Sequence, residues 1–222
     1  MKNKKFLLIY IILTVLPLVM SITAMFFMPD KVPVHYGPSG AVDRFGSKYE
    51  LMILNVFSVV IAVVMWFSSS RSSKNESSTK NNERIILITG ALILALFLIL
   101  NAFFLCLAFK GAESIYDAPV DIGRLICGLF GVFFVISGNI MPKVKPNPII
   151  GMRTKWSMKN DNIWKKQQRV SGILLLIAGL VLIILAFIFK GMMAIIAMVT
   201  VIILMSIIGT IYSYLSAKND KE

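Results

Sequence analysis

Charge is what this chain has least of. Only 15% of its 222 residues are Asp, Glu, Lys or Arg, against about 25% in soluble globular domains. Acidic residues are scarcer still, 11 against 23 Lys and Arg. There is one histidine, His35, and there are two cysteines, Cys106 and Cys127. A lone imidazole offers no ligand set for a metal, and a pH-sensitive hydrogen bond or packing with Tyr36 suits it better. Both cysteines fall inside apolar runs, where they read as small packing residues rather than a disulfide or a metal site. No paired carboxylates lie within a run and no nucleophile accompanies a base, so the chain is not expected to be an enzyme or to carry a cofactor.

What the chain has instead is long apolar sequence. Hydrophobic residues make up 57% and the mean hydropathy is +0.80. Six runs qualify as spans: Phe6–Met28, Leu51–Phe67, Ile85–Phe109, Ile122–Met141, Val170–Phe189 and Met192–Leu215. A helix rises about 1.5 Å per residue, so roughly 20 residues cross a hydrocarbon core of about 30 Å. Lipid offers the backbone no hydrogen-bond partners, which makes these runs helices. Leu51–Phe67 is the shortest and is expected to borrow residues at its ends. The first run is too long for a signal-peptide core and is read as a retained helix, with Pro17 a kink point. The fold class predicted is all-α: a polytopic bundle of six transmembrane helices.

The basic residues orient it. Seventeen of the 23 Lys and Arg fall in 1–5, 68–84, 142–169 and 216–222, while the acidic residues divide almost evenly between the two faces. The positive-inside rule then places both termini and the 142–169 loop in the cytoplasm. The pI near 9.8 is thereby a matter of topology, and direct nucleic-acid binding is not expected.

Three segments follow: 1–70, two helices joined by an external Pro/Gly/His loop; 71–84, a flexible cytoplasmic linker; and 85–222, four helices with the 142–169 loop. Ser68–Asn82 is polar and of low complexity and is read as a mobile loop of small functional weight. Lys190-Gly191 forces the last two helices into an antiparallel hairpin. Gly131 and Gly138 share a helix face, where small residues permit close approach. The outer loop, from Pro29 through Pro33 and His35 to Gly40, has defined turn chemistry and an extended Val32–Tyr36 piece.

The richest segment is the basic loop. Pro142, Pro146 and Pro148 disfavour helix at its start, Gly151 allows a tight bend, and Asn160-Asp161-Asn162 supplies an N-cap. Trp156 and Trp164 are expected at headgroup depth, and the eight Lys and Arg are suited to anionic lipid.

Gly138-Asn139, Pro146-Asn147, Gly151-Met152-Arg153-Thr154, Trp156-Ser157, Asn160, Trp164 and Arg169 resemble the signature of the SdpI family of bacterial membrane proteins. The Pro29–Gly40 stretch resembles the Pro-rich, His-bearing domain that often precedes it. Lys155 departs from the proline expected between Thr154 and Trp156. The resemblance implies immunity to a secreted, membrane-active peptide toxin, and a sensor that docks a soluble transcriptional repressor at its cytoplasmic loop. Candidate residues of that loop are Asn139, Asn147, Gly151, Arg153, Thr154, Trp156, Trp164 and Arg169; those outside are Pro29, Pro33, His35 and Gly40. A small transporter or exporter is the alternative, with Asn101 and Asn139 as its intramembrane polar groups.

Overall fold

The computed structural model describes residues 4–72, 79–147 and 149–219. It contains six helices long and apolar enough to cross a membrane: α1 (Lys4–Met25), α2 (Ile53–Ser72), α3 (Thr79–Lys110), α4 (Ile122–Ile140), α5 (Asp161–Ile188) and α6 (Gly191–Asn219). The protein is a multi-pass membrane protein. Much apolar surface is left uncovered; Leu8, Ile12, Val19, Ile184 and Ile203 are all close to half exposed. That is the pattern of helices whose outer faces are solvated by lipid, where burying leucine against leucine brings little gain.

The second span borrows residues as expected. A 3-10 turn at Lys48–Met52 precedes α2, and the helix runs on to Ser72. In the 71–84 stretch, α3 already begins at Thr79, while 73–78, Pro148 and Lys2 lie outside the described residues. Contacts divide the chain into one unit of Met1–Phe67 with Leu87–Ile122, and another of Ser68–Ile86 with Gly123–Glu222. Most of α3 therefore packs with α1 and α2, where the sequence had grouped it with the last three helices. The reason is visible in Asn101, which finds its partners on α1 and α2.

In the first unit each helix contributes one buried polar side chain to a shared layer. Asn55 Nδ2 donates to Ser21 Oγ at 2.8 Å and lies 3.3 Å from Asn101 Oδ1. Ser21 Oγ donates to Asn101 Oδ1, and Asn101 Nδ2 reaches the Pro17 carbonyl. None of the three is more than 2% exposed. One turn or more away, Tyr10 donates to the Leu87 carbonyl among Leu94, Met65 and Trp66. At the far end of α1 the chain forms an antiparallel hairpin, β1 (Lys31–Tyr36) and β2 (Val42–Ser47). This exceeds the single extended piece expected. Val32 at its root is fully buried against Ala24, Met28, Leu105 and Ala108.

The second unit is joined by a glycine seam between α4 and α5. A Cβ on Gly131 would meet the Gly179 carbonyl at 2.9 Å, and one on Gly179 would meet the Gly131 carbonyl at 2.6 Å. Gly138 and Gly172 face each other in the same way one heptad along. Where backbones come this close, dispersion contacts supply the helix association that hydrophobicity cannot. Cys127 lies beside the seam and donates to the Leu182 carbonyl. Arg124 closes the far end of α5, its guanidinium donating to the Phe187 and Phe189 carbonyls. That satisfies acceptors every helix C-terminus leaves over.

Asn101→Leu should leave Asn55 and Ser21 short of a partner and destabilise the first unit by about 1 kcal/mol. Unfolding of the detergent-solubilised protein, followed by circular dichroism, measures it. Asn139→Leu, whose amide only returns to the Val135 carbonyl of its own helix, should change little.

Candidate functional site

The basic loop is not a loose anchor, because Asn147, Thr154, Ser157, Trp164 and Gln168 are all hydrogen-bonded within the fold. After α4 a 3-10 turn at Met141–Lys143 brings the chain to Val144, which is buried with Ile85 and Trp164. The Trp164 indole N–H donates to the Val144 carbonyl at 2.8 Å, and its side chain is 1% exposed. Trp164 is thus a core residue of the loop, its ring covered by protein. Its N–H found a carbonyl within the fold and its rings found apolar neighbours.

Asn82 holds the same segment one residue further on. Its amide accepts from Lys145 N at 3.0 Å and donates to Lys145 O at 3.1 Å, and Asn81 donates to the Lys143 carbonyl. The segment read as mobile and of small weight therefore ends in two residues that fix the loop. Asn82 is 2% exposed. Low complexity says nothing about the last residues of a tract once they enter a helix.

Asn147 then folds the turn on itself. Its Oδ1 accepts from the N–H groups of Ile149 and Ile150, while its Nδ2 donates to the carbonyls of Lys145 and Ile150. Gly151 follows at φ 117, a conformation other residues rarely adopt. A Cβ there would also meet the Trp164 ring at 2.9 Å and Gln168 Oε1 at 3.0 Å.

The next residue is the centre of the arrangement. Gln168 accepts from Met152 N at 2.9 Å and donates to Met152 O at 3.1 Å, pairing both backbone groups of one residue as a neighbouring strand would. The Met152 side chain enters α5 and α6, where its sulfur lies 3.1 Å from Gln167 Nε2, and a Cβ on Gly209 would collide with it. Thr154 Oγ1 meets Ser213 Oγ at 2.6 Å. Thr154 and Ser157 exchange hydrogen bonds, and the Ser157 hydroxyl donates to Met152 O. Trp156 is half-buried, edge-on to Tyr214 at 5.4 Å, with Lys155 Nζ 5.0 Å above its ring. Asn160 caps α5 by accepting from Ile163 N, as expected.

With these anchors inward, the charges face out. Lys143, Lys145, Arg153, Lys155, Lys159, Lys165, Lys166 and Arg169 are all exposed, with Asp161 the one acidic residue described among them. Arg153 stands between Met152 and Thr154, both locked. The structure thus brings Asn147, Gly151, Thr154, Trp156 and Trp164 into one scaffold that displays Arg153 and Arg169. Asn139, exposed on α4, takes no part in the anchoring hydrogen bonds. Sequence reading passed over Gln167, Gln168, Ser213, Asn81 and Asn82. Adjacent buried glutamines at a helix entrance amid lysines were the available signal.

The external candidates lie in the first unit. Pro29 is exposed, Pro33 is buried opposite Phe45, and Gly40, at φ 83, sits against the Tyr116 ring. His35 Nδ1 lies 2.6 Å from Asp43 Oδ1, a partner the sequence did not reveal. Burial, and then the charge of Asp117, holds the Tyr36 phenol above its ordinary range.

The family model described as "SdpI/YfhL protein family" matches residues 143–213, which are the anchored loop and the two helices that hold it. Over that segment the chain matches the family. A second model, a domain of unknown function (DUF1648), matches 12–59, covering most of α1, the hairpin and the start of α2. The immunity protein SdpI of Bacillus subtilis (strain 168) is 26% identical over 207 residues, 93% of each chain. An uncharacterized protein of Archaeoglobus fulgidus is 44% identical over 45 residues, 20% of this chain and 25% of that one. No solved structure matches. Within the SdpI-type region the matched segment contains every anchoring residue from Lys145 to Ser213, whereas Asn139 precedes it.

Gln168→Leu should strand the Met152 N–H and leave its carbonyl only the Ser157 hydroxyl, costing about 2 kcal/mol. The loop should then be nicked by trypsin at Arg153 and Lys155 on the order of tenfold faster. Lys165→Gln, on the exposed face, should leave the cleavage rate unchanged.

Proposed function

We propose that this protein confers immunity to a secreted, membrane-active peptide, and that its basic loop passes the signal to a soluble repressor. The similarity to an immunity protein along 93% of both chains carries the first part. The second part rests on the loop's form. A surface of eight exposed cations on a hydrogen-bonded platform has already met the entropic cost of ordering. A partner gains from such a face without first having to fold it.

The charge distribution supports a cytoplasmic location for the loop and both termini. Peptide arriving from outside would meet the hairpin and the opposite helix ends first. To signal, it must favour one packing of the helices over another, since equal affinity for two states shifts nothing. Arg153 is the central residue of the transmitting face. Its planar fork can take a carboxylate or phosphate at two points, which lysine cannot. Anionic headgroups flank the same face and hold it close to the bilayer. A carrier would need an accessible polar group within the membrane; Asn101 is occupied by Ser21, Asn55 and Pro17.

Expression in a cell sensitive to such a peptide tests the proposal. Survival should rise with expression, and unchanged killing at normal membrane levels would reject immunity to that peptide. Arg153→Lys should insert normally yet lose signalling to the repressor, read from a reporter under its control. Full reporter output in that variant removes Arg153 from the role.

A further inference from the structure

Between the hairpin and the start of α2 lies a cavity of about 550 Å³ that the immunity reading does not use. Its walls are apolar: Val34, Leu51, Met52, Val56 and Phe104. Two charged residues, Arg44 and Glu50, also line it. The volume lies within the range of small-ligand sites, and apolar walls with a few placed polar groups are their usual form. We propose that it binds one phospholipid bearing a primary ammonium, of the phosphatidylethanolamine type, with the headgroup across Arg44 and Glu50 and an acyl chain in the groove.

Depth is the first argument. Lys48 opens the second membrane-spanning segment, which runs to Ser70. Arg44 and Glu50 therefore sit where headgroups lie, and Met52 and Val56 in the first turns of the span, where acyl chains begin. Ile53 and Val56 are 61% and 59% exposed, so the groove opens toward lipid.

Charge pattern is the second. Arg44 Nη1 donates to Glu50 Oε2 at 2.8 Å, and the side chains remain 56% and 42% exposed. The other guanidinium N–H groups have no protein partner among the described residues. They are the donors a phosphate takes, at two points where geometry allows. Glu50 keeps one oxygen on the Ser47 amide, and its carboxylate still has lone pairs for an ammonium N–H. A zwitterion laid antiparallel to the pair places phosphate on Arg44 and ammonium on Glu50. An exposed ion pair is worth little by itself, so sharing it with a ligand costs little. A choline headgroup presents the same charge without an N–H donor, and thus provides the control.

The test uses the full chain in nanodiscs containing ethanolamine and choline phospholipids in equal parts, with retained lipid counted by native mass spectrometry. One ethanolamine lipid should stay bound, favoured over choline on the order of tenfold. Glu50→Gln can still accept from the Ser47 amide, so the turn should persist while the headgroup preference disappears. Arg44→Gln should weaken retention of both lipids. Val56→Trp should fill the groove and expel the lipid with helical content unchanged. Equal retention of the two lipids by the unaltered protein would overturn the proposal, and so would a preference that survives Glu50→Gln and Arg44→Gln. If Val56→Trp abolished protection while lipid retention stayed the same, the groove would belong to a peptide.

Discussion

Every part of this structure answers to one constraint: a chain dissolved in lipid must find its hydrogen bonds within itself. The helices meet it along their lengths. Where they end or bend, side chains take over. Arg124 closes the carbonyls at the end of α5, Asn160 closes the amides at its start, and Asn101 reaches the carbonyl of Pro17. The same economy continues into the basic loop, where Asn82, Asn147, Ser157, Trp164 and Gln168 each pair with main-chain groups. An irregular segment can lie against membrane helices only if its backbone is furnished in this way.

The two units solve helix association differently. In the first, a buried layer of Ser21, Asn55 and Asn101 ties three helices by hydrogen bonds whose alternative is an unpaired amide in hydrocarbon. In the second, paired glycines let α4 and α5 approach until carbonyls touch the opposite backbone. Polar links fix which groups face each other by bonding, while the glycine seam fixes them by shape, since a Cβ at any of its four positions would collide. The six spans also differ in how much they bury: a third of the most apolar window in α3 and α5, but 17% in α1 and α6. The former are the inner helices of their units.

Much of this was legible in the sequence. The six spans follow from apolar run length, Asn160 from its place before an amphipathic helix, and the seam from the spacing of Gly131 and Gly138. The hairpin was half visible, because the proline and glycine turns bracket an extended Val32–Tyr36 piece, but Val42–Ser47 is short and polar. The burial of Trp164 was not legible, because nothing local revealed the Val144 carbonyl waiting for its N–H. Gln168 and Asn82 escaped notice for a related reason. Their partners are 16 and 63 residues away, and no periodicity encodes a side chain that grips a distant main chain.

The double bond from Gln168 to Met152 has a wider consequence. It engages only main-chain atoms, so it holds the loop's path without regard to the side chains displayed on its outer edge. The course of the main chain at 152 is thus written into α5 itself, by one glutamine on a helix that the membrane already holds in place.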